Sequence, residues 1–116
     1  MKLDTRGGMF PVVKDTLFTV KEIPQLQDDG VSWGFKFNAS VEGVDKEYKE
    51  RFWPERMKDL ATALGFKEEI PGVYEWEPTE CLNKSVTADI EHQKQEKGKN
   101  KDKVFPRMVN IRELPF

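Results

Sequence analysis

Six apolar residues occupy the odd positions from Val31 to Val41, and five small or polar residues occupy the even ones. Alternation with a period of two marks a β-strand with one buried face. A helix would scatter the same residues around its circumference. The odd row carries Trp33, Phe35 and Phe37, which are large enough to require a deep core. The even row, Ser32, Gly34, Lys36, Asn38 and Ser40, has little bulk and leaves room for something to lie against it. A strand of this length with three aromatics on one face suits a small barrel whose strands curl and serve two sheets.

The same reading extends along the chain. Residues 1–14 contain Gly7-Gly8 and Pro11 and show no periodicity, which predicts an extended arm. Residues 15–23 are β-branched and aromatic, a first strand. Asp28-Asp29-Gly30 signals the turn into the central strand, and Gly43 with Asp45 a tight connection out of it. Residues 46–53 read as a third strand, antiparallel to the central one. Tyr48, Glu50 and Phe52 continue the core side, with Glu50 near a rim. Glu47, Lys49, Arg51 and Trp53 extend the open face.

Pro54 opens a helix, because its missing N–H would be unpaired there anyway. Met57, Leu60, Ala61 and Leu64 form one apolar stripe. Phe52 and Met57 sit where a hydrophobic staple pairs them, Glu55 complements the helix N-terminus, and Gly65 is placed for a left-handed cap. Residues 67–80, with Pro71, Pro78 and five glutamates, read as a long connection pinned by Val73, Tyr74 and Trp76. Residues 84–95 form a fourth strand in which Val86, Ala88 and Ile90 alternate with Thr87, Asp89 and Glu91. The run from Lys94 to Lys103 is a lysine-rich hairpin tip, and residues 104–112 a closing strand.

Three strands, a helix, then two strands is the order of the OB-fold, a five-stranded Greek-key barrel with its helix between strands three and four. The expectation is therefore an all-β chain with one helix: an arm over 1–14 and a single OB-fold domain over 15–116. The 116 residues suffice for one core without disulfides or metal. The formal net charge of −2 means that any nucleic-acid binding must come from a local patch. The single cysteine, Cys81, rules out an internal disulfide and suits a reducing cytosol. No apolar run is long enough for a membrane helix and no signal-peptide pattern is present, so a cytoplasmic protein without membrane contact is expected.

Enzyme chemistry finds little purchase. His92 is the only histidine, no Cys/His group has metal-ligand spacing, and Gly7-Gly8 lacks the strand-to-helix context of a phosphate loop. The glutamates of residues 68–80 read as a solvated acidic loop. The expectation is a non-enzyme with no cofactor and no metal.

Four stretches carry a family resemblance. They are Lys49-Glu50-Arg51-Phe52, the helix Met57-Lys58-Asp59-Leu60-Ala61-Thr62-Ala63-Leu64-Gly65, Leu82-Asn83-Lys84, and the ending Val109-Asn110-Ile111-Arg112-Glu113-Leu114-Pro115. In order and spacing they resemble a family of small phage-encoded, single-stranded-DNA-binding-like proteins, long catalogued as a domain of unknown function. The position before Arg51, glycine in that family, is Glu50 here, which sets a carboxylate near the expected binding surface. The resemblance implies coating of single-stranded DNA during phage replication or recombination, in the host cytoplasm, beside recombination or replication proteins.

Non-specific single-strand binders combine cations that follow the backbone with aromatic faces that stack on bases. In an OB-fold that surface is the open face of strands two and three with its flanking loops. Here the face offers Lys36, Lys49, Arg51 and Trp53. Lys94, Lys97, Lys99, Lys101 and Lys103 would close over it, with Arg107 next in the last strand. Trp53 is also placed to cap the barrel, and a lysine-rich tip also blocks edge pairing. Trp76 reads as an anchor. The alternative function is an OB-fold adaptor that recruits a nuclease or recombinase, which the balanced net charge favours. Self-association stays open. The ending Glu113-Leu114-Pro115-Phe116 looks like the proline-phenylalanine tip by which bacterial single-strand-binding proteins recruit partners. It is equally placed to seal the barrel end.

Overall fold

The computed structural model describes residues 9–95 and 103–114. Its elements are β1 (Val13–Val20), β2 (Gln25–Leu26), β3 (Trp33–Val41), β4 (Val44–Phe52), α1 (Pro54–Ala63), β5 (Lys67–Ile70), β6 (Val73–Glu75), a 3-10 turn (Pro78–Cys81), β7 (Ser85–Lys94) and β8 (Val104–Arg112). The chain is mostly antiparallel β with one helix. Strands pair in the order β4-β3-β1-β7-β8, and β2 pairs with β3 on the edge that β1 also uses. No strand pairing joins β4 to β8 among the described residues, so the sheet is not closed into the expected five-stranded barrel. Helix α1 packs against β8 and β4 at that open seam.

The central alternation holds from Phe35 onward. Phe35, Phe37 and Ala39 are buried, joined by Phe18, Val20, Tyr48, Phe52, Val86, Ala88, Ile90 and Met108. Before Phe35 it fails. Ser32 is fully buried, Val31 is exposed, and Trp33 is only partly buried. The cause is Asp29. Its Oδ1 accepts the N–H groups of Val31 (3.0 Å) and Ser32 (2.9 Å), and its Oδ2 accepts the Ser32 hydroxyl (2.8 Å). This side-chain turn fixes the entry to β3 and reverses which neighbour faces inward.

The helix matches its expected signals. Gly65, at φ +92°, follows the last turn. The Phe66 N–H reaches the Ala61 carbonyl and the Gly65 N–H reaches Thr62, which is a Schellman ending. Leu60, Ala61 and Leu64 are buried, and Phe52 and Met57 lie in or against the core as the staple requires.

Two further expectations give way. The proposed arm is part of the body from Phe10 on. Phe10 is buried with its ring 5.1 Å from Tyr48 and 5.8 Å from Phe18, and β1 begins at Val13. Residues 1–8 lie outside the described residues. The connection 67–80 is a hairpin followed by a 3-10 turn, because Pro71-Gly72, with Gly72 at φ +84°, turns β5 back onto β6.

Candidate nucleic-acid interface

The outward face of β3 and β4 is set by their register, which opposes Gly34 to Arg51, Lys36 to Lys49 and Asn38 to Glu47. Two like charges directly across a strand pair repel. Here each is relieved by an acid: Lys36 Nζ lies 3.2 Å from Glu22, and Lys49 Nζ 3.3 Å from Glu47. Glu47 also takes Lys21 at 2.9 Å. The Lys21 hydrogen bond, followed by that from Lys49, lowers the Glu47 pKa, and the same bond raises that of Lys21. Arg51 stands 3.8 Å from Asp28. These pairs are exposed and hold the face loosely.

At the end nearest β2 the face opens into a cleft of about 430 Å³, lined among others by Glu22, Gln25, Gln27, Gly34, Lys49 and Arg51. Gly34 is bare for a reason inside the protein. The Gln27 amide lies across it, so that a Cβ at Gly34 would meet Gln27 Nε2 at 2.6 Å. That amide is held by its bond to the Gln25 carbonyl (2.9 Å) and by Arg51 Nη2 on its oxygen (3.2 Å).

Trp53 is not in the strand; it is the N-cap of α1, and its carbonyl accepts the N–H groups of Arg56 and Met57. Its indole is 45% exposed, with the Arg51 guanidinium 5.4 Å from the ring centre. A cation over an exposed aromatic is a workable stacking platform. Lys36, Lys49, Arg51 and Trp53 are thus brought together.

The two described lysines at the base of the lysine-rich tip, Lys94 and Lys103, are not brought to them. Thr19 pairs with both Asn38 and Ser85, so β3 and β7 run in the same direction with those residues level. Lys36 precedes Asn38, whereas Lys94 follows Ser85 by about 30 Å of strand, at about 3.3 Å per residue. Lys94 and Lys103 therefore leave the opposite end of the sheet from the cleft. Arg107 pairs across from Glu91, with its guanidinium 5.2 Å from the Phe105 ring. Lys97, Lys99 and Lys101 lie outside the described residues.

Glu50 does not face this surface. It points to the core side, where Oε1 accepts the Met108 N–H (2.8 Å) and the Tyr48 hydroxyl, and Oε2 pairs with Arg56. Burial pushes the Tyr48 hydroxyl well above its ordinary pKa, with Glu50 adding to the shift. His92 Nε2 lies 2.7 Å from the Phe10 carbonyl, a tie between β7 and the chain before β1. Cys81 is buried, and burial pushes its thiol up to about 11, which makes it a poor nucleophile at neutral pH.

Sequence reasoning missed a second concavity of about 340 Å³ between α1 and the β5–β6 hairpin, walled by Trp33, Tyr74, Trp76 and Met57. Trp33 and Trp76 meet edge to face at 4.8 Å, and Tyr74 reaches Thr62 through its hydroxyl at 3.0 Å. Tyr74 and Trp76 were legible as anchors, but their common wall with Trp33 depends on the hairpin. Among the described residues no helix is long and apolar enough to cross a membrane. No protein-family model, no curated protein and no solved structure matches the chain.

Proposed function

We propose that this chain binds single-stranded DNA with little sequence preference, through the outward face of β3 and β4. The observation that carries the reading is the grouping of Lys36, Lys49 and Arg51 along one open cleft, with the exposed indole of Trp53 under the Arg51 guanidinium. The cations would follow phosphates, and the indole would take a base. We read the sheet as an opened OB-type barrel whose seam between β4 and β8 is bridged by side chains. The role in phage DNA replication or recombination is the one the family resemblance implies.

A second reading is an OB-type adaptor for a nuclease or recombinase. It is favoured by the acid beside every cation of the face, Glu22, Glu47 and Asp28, which lowers the local positive potential. Oligonucleotide titration at several salt concentrations separates the two. A single-strand binder using three cations should prefer dT over duplex, with a log–log salt slope near −2, at about −0.7 per contact. Absence of binding at low salt sinks the DNA reading and leaves the adaptor.

A further inference from the structure

Lys21, just past β1, stands in line with the cations of the β3–β4 face. Thr19 pairs with Asn38 and Val20 with Phe37, and the Lys21 N–H carries the ladder on to the Lys36 carbonyl at 3.0 Å. Lys36 in turn opposes Lys49. The three lysines form one row across neighbouring strands, with backbones about 4.8 Å apart at each step. Val20 is buried in the core, so the next side chain in the chain points outward. Lys21 Nζ meets Glu47 of β4 at 2.9 Å, which lays its stem across the outward face of β3.

This row is richer in cations than in acids. Among the described residues its three ammonium groups are held by two carboxylates, Glu22 on Lys36 and Glu47 on both Lys21 and Lys49. The face changes on both sides of the row. Toward the start of β3 it offers Arg51 opposite Gly34, with Trp53 beyond. Toward the β3–β4 hairpin it offers Glu47 opposite Asn38 and Asp45 opposite Ser40. No cation of β3 or β4 stands there; Lys46 opposes the buried Ala39 and so belongs to the other face. A polyanion that followed β4 to its hairpin would leave cations for carboxylates. One that turned at Lys49 and crossed to Lys36 and Lys21 would stay on cations.

We infer that Lys21 is a further phosphate contact, and that a bound single strand turns at Lys49 and crosses β3 toward β1 along the row Lys49, Lys36, Lys21. This rests on the single-strand reading and adds a contact and a path to it.

The test must separate contact with phosphate from mere neutralisation of Glu47, so it is made in a Glu47→Gln protein. Fluorescence anisotropy with labelled dT is read at about 50 and 200 mM salt. Lys21→Ala in that background should weaken binding. Its loss of affinity between the two salts should be about 2.6-fold smaller, the share of one contact at a slope of about 0.7. Lys21→Arg, which keeps a cation, should bind as the background protein does. Lys49→Ala in the same background reports on the face itself. If Lys49→Ala weakens binding and Lys21→Ala does not, Lys21 served only to neutralise Glu47 and the inference alone falls. If neither does, or if dT does not bind at all, the single-strand reading of this face falls and takes the inference with it. The path has its own readout. A benzophenone attached through Lys21→Cys should crosslink to dT more strongly than one attached through Asp45→Cys, although the latter change removes an acid; the native Cys81 is buried. Equal or stronger crosslinking from position 45 overturns the path.

Discussion

Glu50 Oε1 accepts the backbone N–H of Met108 at 2.8 Å, across the seam where β4 and β8 fail to pair. The Met108 carbonyl is met from the same side by Arg56, which also pairs with Glu50 and lies with its guanidinium 4.7 Å from the Phe52 ring centre. Two side chains therefore satisfy the donor and acceptor that a neighbouring strand would otherwise take. Met108 is 1% exposed, so leaving these groups unpaired would be costly. Helix α1 contributes Arg56 to the bridge and so covers the seam as well as capping it.

Removing Glu50 should expose that dependence. Glu50→Ala leaves the Met108 N–H and the Arg56 guanidinium without their partner, and breaking a largely buried pair in this way costs about 3 kcal/mol. Thermal unfolding followed by circular dichroism should show a midpoint lowered by roughly 10 °C. The double change Glu50→Leu with Arg56→Met should lose less than Glu50→Ala alone, since no charge is then stranded. An unchanged midpoint in Glu50→Ala would show that the seam does not rest on this bridge.

The tryptophan at the helix start separates platform from core. Trp53→Ala should keep the fold and weaken single-strand binding by about 1–3 kcal/mol, the worth of one stacked base. Phe37→Ala, at a fully buried site, should instead destabilise the domain by about 3–5 kcal/mol. Undiminished affinity in Trp53→Ala would mean that the exposed indole does not touch DNA.

Much of this architecture was legible because its causes are local. The Pro54 start and Gly65 end of α1, and the alternation of Val86, Ala88 and Ile90, need nothing beyond neighbouring residues. Three features were not. Ser32 lies inside and Val31 outside because Asp29 grips the chain before β3, an effect that overrides alternation. The β5–β6 hairpin was masked by the charged run Lys67-Glu68-Glu69, although Pro71-Gly72 was its turn signal. Of the site, Lys36, Lys49 and Arg51 could be placed on one side from strand period alone, whereas Trp53 lies just past the strand as the N-cap of α1. The position of Lys94 and Lys103 could not, because it depends on the register between β1 and β7.

The acids of the face should act as a brake on DNA binding. Glu47 holds both Lys21 and Lys49, so a phosphate must compete with a carboxylate for the same ammonium groups. Glu47→Gln should raise affinity for dT and steepen its salt dependence. Lys49→Ala should lower affinity and make the slope shallower by about 0.7. These opposite signs, read by fluorescence anisotropy, are the expected outcome. Equal responses to both changes would remove this face from the DNA site.

Acid should loosen two places where carboxylates hold irregular backbone. Asp89 in β7 accepts the Asp15 N–H at 2.8 Å and the Asn110 side-chain amide at 2.9 Å. Asp15 and Asn110 both have positive φ, 49° and 52°, and sit where β1 and β8 shift register against β7. One central carboxylate thus pins a bulge on each side. The Asp15 N–H first, and the Asn110 amide second, hold the Asp89 carboxyl below its ordinary value. Asp29 is held lower, at about 2, first by the Ser32 N–H and then by that of Val31. A carboxyl with a depressed folded pKa contributes stability that is fully present above its unfolded value, about 4. That contribution is lost as pH falls through the folded value. Thermal midpoints should therefore be insensitive to these two groups from neutrality to about pH 5, and should fall below about pH 4. Asp89→Ala and Asp29→Ala should each lower the midpoint at neutral pH, and each gap to the parent protein should narrow as pH drops from about 4 toward 2. A gap that stays constant over that range would show that the ionised form of the carboxylate does not hold the bulges or the turn.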